Sequence, residues 1–179
     1  TVLSGATTTV SANTPIAINE AGLTGYSFVS ISGDEQCPNS LGGTVTLDEG
    51  QSITCTITNN DVGPTITLTK VVVNNNGGNA QPNDFDPTID GNVVLSGSTT
   101  QVSANQPHAI NETVLDGYNF VSITGDVKCP EVLGGTVSLD EGENISCTIT
   151  NDDIIPTITL IKEVIGGNAD PDDFGLLVD

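Results

Sequence analysis

Residues Cys55–Val73 read CTITNNDVGPTITLTKVVV, and the stretch returns 92 residues later as Cys147–Ile165, CTITNDDIIPTITLIKEVI. Each copy divides at its proline, with a short β-type run on either side of a polar hinge. In ITLTKVV, strict alternation puts Ile66, Leu68, Lys70 and Val72 on one face and Thr65, Thr67 and Thr69 on the other. A period of two marks a half-buried strand, and here the apolar face contains a lysine. In CTITN, Cys55, Ile57 and Asn59 share a face that ends in an amide. Each copy therefore reads as the last strand of one module, a hinge, and the first strand of the next.

The recurrence extends over the whole chain. Residues 1–63 align without gaps on 93–155, with 42 of the 63 positions identical, and 64–70 align on 156–162 at the same offset. Beyond that, 163–174 is three residues shorter than 71–85. The spacing predicts three pieces. Residues 1–63 are the C-terminal part of a first module, 64–155 a complete module, and 156–179 the opening strands of a third. Within 64–155, strands are expected at 66–73, 84–90 (weakened by Pro87), 107–113 and 118–126. Two hairpins are expected as well, 92–97 with 99–104 around Gly97 and 135–141 with 143–150 around Gly142. Residues 74–84 are expected to form a long Asn/Gly loop. Short strands with frequent turn signals give the fold class as all-β, with tandem Ig-like β-sandwich modules of about 92 residues. Thr1 aligns with Val93 and Asp179 with Asp90, so the tail supplies the opening strands that 1–63 does not contain. The chain is then either a window on a long repetitive polypeptide or a subunit completed head to tail by donated strands. In both cases 156–179 of one copy pairs with 1–63 of the next.

Composition narrows the functional classes. Thr, Val, Ile and Gly dominate, aromatics are 3%, and Met and Trp are absent, as suits short strands joined by Gly/Asn/Asp turns. Three lysines, no arginine and 23 carboxylates give a net charge of −20. Nucleic acid as a partner is excluded, since phosphate recognition needs a basic surface. Anionic membrane surfaces are disfavoured for the same reason, and no run is long and apolar enough to insert. A strongly acidic surface keeps an exposed protein soluble. There is no initiator Met and no signal peptide, so the chain reads as part of something processed or longer.

The four cysteines fall as Cys37/Cys55 and Cys129/Cys147, without zinc-ligand spacing. Four cysteines allow three pairings. Repeat symmetry favours Cys37–Cys55 and Cys129–Cys147, each worth roughly 3 kcal/mol through closure of a moderate loop. Disulfides place the protein in an oxidising, extracellular or cell-surface setting.

A third polar residue sits on an apolar phase. In PHAINET (107–113), Ile110 and Glu112 share a face, as do Ile18 and Glu20 in the first copy. The complete module thus carries Lys70, Glu112 and Asn151 on three strands, and the composite of tail and head carries Lys162, Glu20 and Asn59. Desolvation favours the neutral forms of an amine and a carboxyl. A free amine is a nucleophile, and a carboxylic acid can polarise an amide and move protons. An asparagine held beside them is the electrophile. Attack on its side-chain carbonyl, with loss of ammonia, would join the first strand to the last by a Lys–Asn isopeptide bond, accelerated by proximity. The competing expectation is that Lys70 snorkels from a strand end to pair with Glu112.

The residues ITLTK (66–70), NETVLDGY (111–118) with NEAGLTGY (19–26), and TITN (148–151 and 56–59) resemble the collagen-adhesin B-type, SpaA-like prealbumin-fold repeats of microbial surface proteins. The resemblance covers the whole module. It implies a prealbumin-like β-sandwich arrayed in stalks or pilin modules, with Lys70 as the amine, Asn151 as the acceptor and Glu112 as the proton relay. Two departures stand out. A cysteine pair is added, and the turn before Gly-Tyr has no proline.

Other positions carry less. His108 is replaced by Ile16 in the first copy and is expected at the surface. Asp84, Asp86, Asp170, Asp172 and Asp173 lie in loops whose oxygens could take Ca²⁺, but without EF-hand spacing they suit Asx-turns better. Asn111 and Asn144 begin glycosylation sequons that the first copy does not have. Serines and threonines are plentiful, yet no triad accompanies them, and no cofactor is indicated. The sequence therefore points to a non-enzymatic extracellular structural repeat of a fibre, stalk or pilus-like filament, whose partner is itself, head to tail. The alternative is an adhesin or calcium-dependent binding repeat of a large surface protein.

Overall fold

The computed structural model describes residues 1–178. It is all-β, with twelve strands among the described residues. In chain order these are β1 (Ile16–Ala17), β2 (Tyr26–Gly33), β3 (Thr44–Val45), β4 (Cys55–Asp61), β5 (Thr65–Val73), β6 (Thr88–Ile89), β7 (Asn92–Val93), β8 (Ser98–Gln101), β9 (Pro107–Asn111), β10 (Tyr118–Gly125), β11 (Thr136–Ser138) and β12 (Asn144–Asp153). Two 3₁₀ turns, Pro82–Phe85 and Pro171–Asp173, complete the regular structure.

Strands β5–β12 build a β-sandwich. One sheet has the order β10-β12-β5-β8 and the other β11-β9-β6-β7. The alternation read in 65–70 is realised, because Ile66, Leu68 and Lys70 are buried and the intervening threonines are half-buried. Ile66, Leu68, Ile123, Ile145, Cys147 and Ile149 from the first sheet meet Ile89, Ile110 and Val137 from the second in one core. β5 and β12 are neighbours and parallel, paired from Asn144↔Thr65 to Asp152↔Val73.

Strands β1–β4 repeat part of this plan. β2 pairs with β4 in the register that β10 keeps with β12, including the irregularity at Phe28/Ser30 that matches Phe120/Ser122. β1 pairs with β3 as β9 does with β11. The core positions are less enclosed there. Ile57 is half-buried, whereas its counterpart Ile149 is fully buried. Among the described residues β4 has a neighbouring strand on one side only. Residues 156–178 form no strand in the single chain, and Asp179 lies outside the described residues.

Two expected hairpins are corrected. β7 pairs with β6, whereas β8 pairs with β5 in the opposite sheet, so Gly97 marks a crossing between sheets. β11 pairs with β9 and β12 with β5 and β10, which makes the Gly142 turn a second crossing. The hairpin in this region is at Asp90-Gly91, joining Ile89 to Asn92. Both of its turn residues have positive φ, 54° and 76°, the requirement of a type I′ turn that Asp-Gly meets well. The expected strand at 84–90 is also shorter. Residues 82–85 coil, Pro87 interrupts, and pairing begins at Thr88.

Candidate functional site

The site is the end of the β5–β12 pair, where three polar side chains enter the core. Lys70 lies opposite Ile149, and Asn151 is two residues further along β12 on the same face. Diagonal neighbours of this kind are within reach of a long side chain. Glu112 follows β9 and comes from the facing sheet. Its neighbour Thr113 donates its backbone N–H to the Phe85 carbonyl (2.8 Å), which fixes the chain there. Lys70, Glu112 and Asn151 are 2%, 8% and 3% exposed, so the structure gathers these three polar residues into the interior.

Lys70 Nζ is 2.8 Å from Glu112 Oε2. The amine and the carboxylate are ion-pair partners across the core. Among the described residues the buried Asn151 Oδ1 oxygen has no hydrogen-bond partner. Burial pushes the Lys70 amine below its ordinary pKa, with Glu112 opposing the shift only in part. Buried polar atoms left without partners carry a desolvation penalty.

The floor of the site is aromatic, which strand periodicity does not predict. Phe85 is fully buried, with Lys70 Nζ 4.2 Å from its ring centroid, a cation–π distance. Tyr118 meets Phe85 edge-on at 5.3 Å. The Tyr118 hydroxyl donates to Asn74 Oδ1 and accepts from the Ala80 N–H. Asp153 accepts from the backbone N–H groups of Asn76 and Gly78, so the 74–85 loop is pinned across the end of β12. Burial raises the Asp153 pKa, but these N–H donors outweigh it and hold the carboxyl below the usual range. A signal for Phe85 is present in the repeat itself. Asn-Asp-Phe (83–85) recurs as Asp-Asp-Phe (172–174), and Lys162 Nζ lies 4.4 Å from the Phe174 ring centroid.

Of the residues expected to share a second site, Asn59 and Glu20 meet and Lys162 does not join them. Asn59 Nδ2 donates to Glu20 Oε2 at 3.0 Å, while Lys162 stays within its own segment on Phe174. Cys37–Cys55 and Cys129–Cys147 are disulfide-bonded, with Cα–Cα separations of 5.7 and 5.8 Å. They tie the loops that follow β2 and β10 to β4 and β12 respectively.

His108 overturns its expected surface position, since it is 6% exposed. Its Nδ1 lies 2.7 Å from Asp90 Oδ2 and its Nε2 2.7 Å from the Ser103 carbonyl. Both partners are acceptors, so both ring nitrogens must donate. Burial lowers the imidazole pKa, but the Asp90 carboxylate and the Ser103 carbonyl outweigh it and raise it overall. Asp84 caps the 3₁₀ turn by accepting the Gln81 N–H, and Asp173 does the same for Asp170. Asp86 and Asp172 are exposed. Among the described residues no three His, Cys, Asp or Glu side chains are grouped to hold a metal. Asn111 and Asn144 are exposed, and Asn144 Oδ1 accepts from the Thr65 hydroxyl.

A family model described as a prealbumin-like fold domain, of the SpaA type, matches residues 61–149. Residues 61–149 are a prealbumin-like domain. The prealbumin-like domain takes in β5 to most of β12, and with them Lys70 and Glu112. Asn151 lies on β12 two residues beyond the matched stretch. A solved structure, the major pilin protein (T3.2) from Streptococcus pyogenes serotype GAS13637, is similar at 15% identity and a TM-score of 0.37. That match covers 76% of this chain and 65% of the pilin chain. No curated protein matches.

Proposed function

We propose that the chain is an extracellular structural repeat of a fibre, stalk or pilus-like filament, and not an enzyme. The observation that carries this reading is the parallel pairing of β5 with β12 around a buried Lys70–Glu112 contact. β5 begins at one end of the prealbumin-like domain and β12 finishes at the other. Tension entering at Thr65 and leaving at Asp153 loads their nine paired positions together, in shear. The two disulfides support an oxidising, extracellular setting.

The same site supports a Lys70–Asn151 isopeptide bond. The Lys70 ammonium gives a proton to Glu112, and the free amine attacks Cγ of Asn151. The Nζ–Cγ bond forms, Glu112 gives its proton to the departing nitrogen and takes the surplus proton from Nζ, the Cγ–Nδ2 bond breaks, and ammonia leaves with Glu112 left protonated. The bond would tie together the two strands that bear the load. Intact-mass measurement tests it on the unreduced chain. The expected mass is short by one ammonia, and Lys70→Ala or Asn151→Ala restores the full value. An unmodified wild-type mass overturns the cross-link and leaves Lys70 and Glu112 as a buried ion pair.

A further inference from the structure

Asp86 is held in a backbone conformation that its own side chain and the next residue both oppose. It closes the 3₁₀ turn Pro82–Phe85 with φ 41° and ψ 63°, in the left-handed region. Residues with a Cβ adopt that region rarely, and a following proline pushes the residue before it toward extended backbone. Pro87 follows directly. In the third repeat the matching position, immediately after Asp-Asp-Phe (172–174), is Gly175, the residue type that reaches the left-handed region at no steric cost.

Packing on both sides imposes the conformation. Phe85 and Pro87 are fully buried. The Phe85 carbonyl accepts from the Thr113 N–H and the Pro87 carbonyl from the Val94 N–H, each at 2.8 Å. With both neighbours fixed, the strain stays on Asp86. The Asp86 side chain is exposed, within reach of water and protons. The charged groups on the surrounding elements are engaged with other partners. Lys70 and Glu112 pair in the core, Asp84 accepts the Gln81 N–H, and Asp90 is bonded to His108 and to the Ala109 N–H. A carboxylate, a strained carbonyl and a proline nitrogen therefore follow one another along the chain. The amide between Asp86 and Pro87 is tertiary, so the group that departs on its cleavage is a secondary amine, which takes up a proton readily.

We propose that Asp86–Pro87 is an acid-promoted self-cleavage site. The Asp86 carboxylate attacks the carbon of its own main-chain carbonyl. The O–C bond forms, the C–N bond to Pro87 breaks, and the proline nitrogen leaves with a proton from the acidic solvent. The cyclic anhydride left on Asp86 is opened by one water, which gives a side-chain and an α-carboxyl on the same residue. Cleavage releases the backbone strain, so the fold itself drives the step. The cut separates residues 1–86 from 87–179. β5, on the first piece, stays paired with β12 and β8 on the second, so the nicked domain holds together. The activity acts once per chain and is separate from the structural role.

Incubation of the intact chain at about pH 4, where aspartate is present in both protonation states, tests the proposal. Intact mass should rise by one water, and N-terminal sequencing should show a new start at Pro87-Thr88-Ile89. Both readings hold with or without a Lys70–Asn151 bond, which changes the mass by loss of ammonia. The native chain should cleave about tenfold faster than the chain in guanidinium chloride at the same pH, the order expected when such strain is released in the transition state. Asp170–Pro171 is the internal reference, since Asp170 has extended backbone, with φ −83° and ψ 153°. It should cleave slowly and at the same rate in both conditions. Asp86→Asn, which removes the nucleophile at nearly constant shape, and Asp86→Gly should both abolish the Pro87 start. No Pro87 start in the native chain, equal rates in native and denatured chains, or undiminished cleavage in Asp86→Asn overturns the proposal.

Discussion

At the scale of single residues, the interior of this protein is defined by its polar members. Lys70 and Glu112 are buried against each other with Phe85 beneath the amine. His108 shows how one substitution changes a site, because the first repeat carries Ile16 in its place. An imidazole between two acceptors must hold both protons, and its pKa is raised above 6.5 while that of Asp90 is lowered below 3.8. For Asp90, burial acts in the opposite direction, and the bonds from His108 and the Ala109 N–H outweigh it. The raised histidine stabilises the fold fully below its unfolded value, and that contribution is lost as pH rises through its folded value. The lowered aspartate contributes above its unfolded value and loses its share as pH falls through its folded value. The contact is therefore strongest between the unfolded values of 3.8 and 6.5. Melting temperatures of wild type and His108→Ile should diverge in that window, and the wild-type advantage should shrink as pH is raised above it. Parallel pH profiles for the two proteins would contradict the assignment.

Among the elements, the 74–85 loop behaves as a lid on the strand ends. Its order comes from Asp153, Tyr118 and Phe85, with only a short 3₁₀ turn of its own. Replacing Phe85 by Ala removes a fully buried ring and should cost about 3–5 kcal/mol, as other buried aromatic truncations do. Urea denaturation measures that loss. The substitution also opens the floor beneath Lys70, so isopeptide formation should slow in the same variant, read as a mixture of intact and ammonia-depleted masses. Phe85 sits in an Asn/Gly-rich loop, where periodicity gives no reason to assign it to a core.

For the whole molecule, the parallel terminal strands decide how force is carried. Pulling on the two ends of the prealbumin-like domain shears β5 against β12. With the Lys70–Asn151 bond in place, extension of the 64–155 segment should be confined to residues outside the cross-link. In Asn151→Ala, the full segment should unravel in a single-molecule pulling experiment. Equal extension lengths for wild type and variant would show that no covalent tie is present. The strongly acidic composition, at net −20, opposes aggregation of the chain by mutual repulsion.

The sequence by itself determined the repeat, the strand faces and the polar positions on them, because a period of two and an offset of 92 are properties of the linear chain. It also marked Lys70, Glu112 and Asn151 as exceptions to their own apolar faces. Tertiary structure alone decided which strands are neighbours. Turns at Gly97 and Gly142 look locally like hairpins, yet the chain uses them to cross between sheets, since β5 already occupies the place beside β12. Pairing partners far apart in sequence leave no local trace. For the same reason His108 went inside: its burial depends on Asp90 and Ser103, two acceptors brought to it from separate strand ends by the packing of the two sheets.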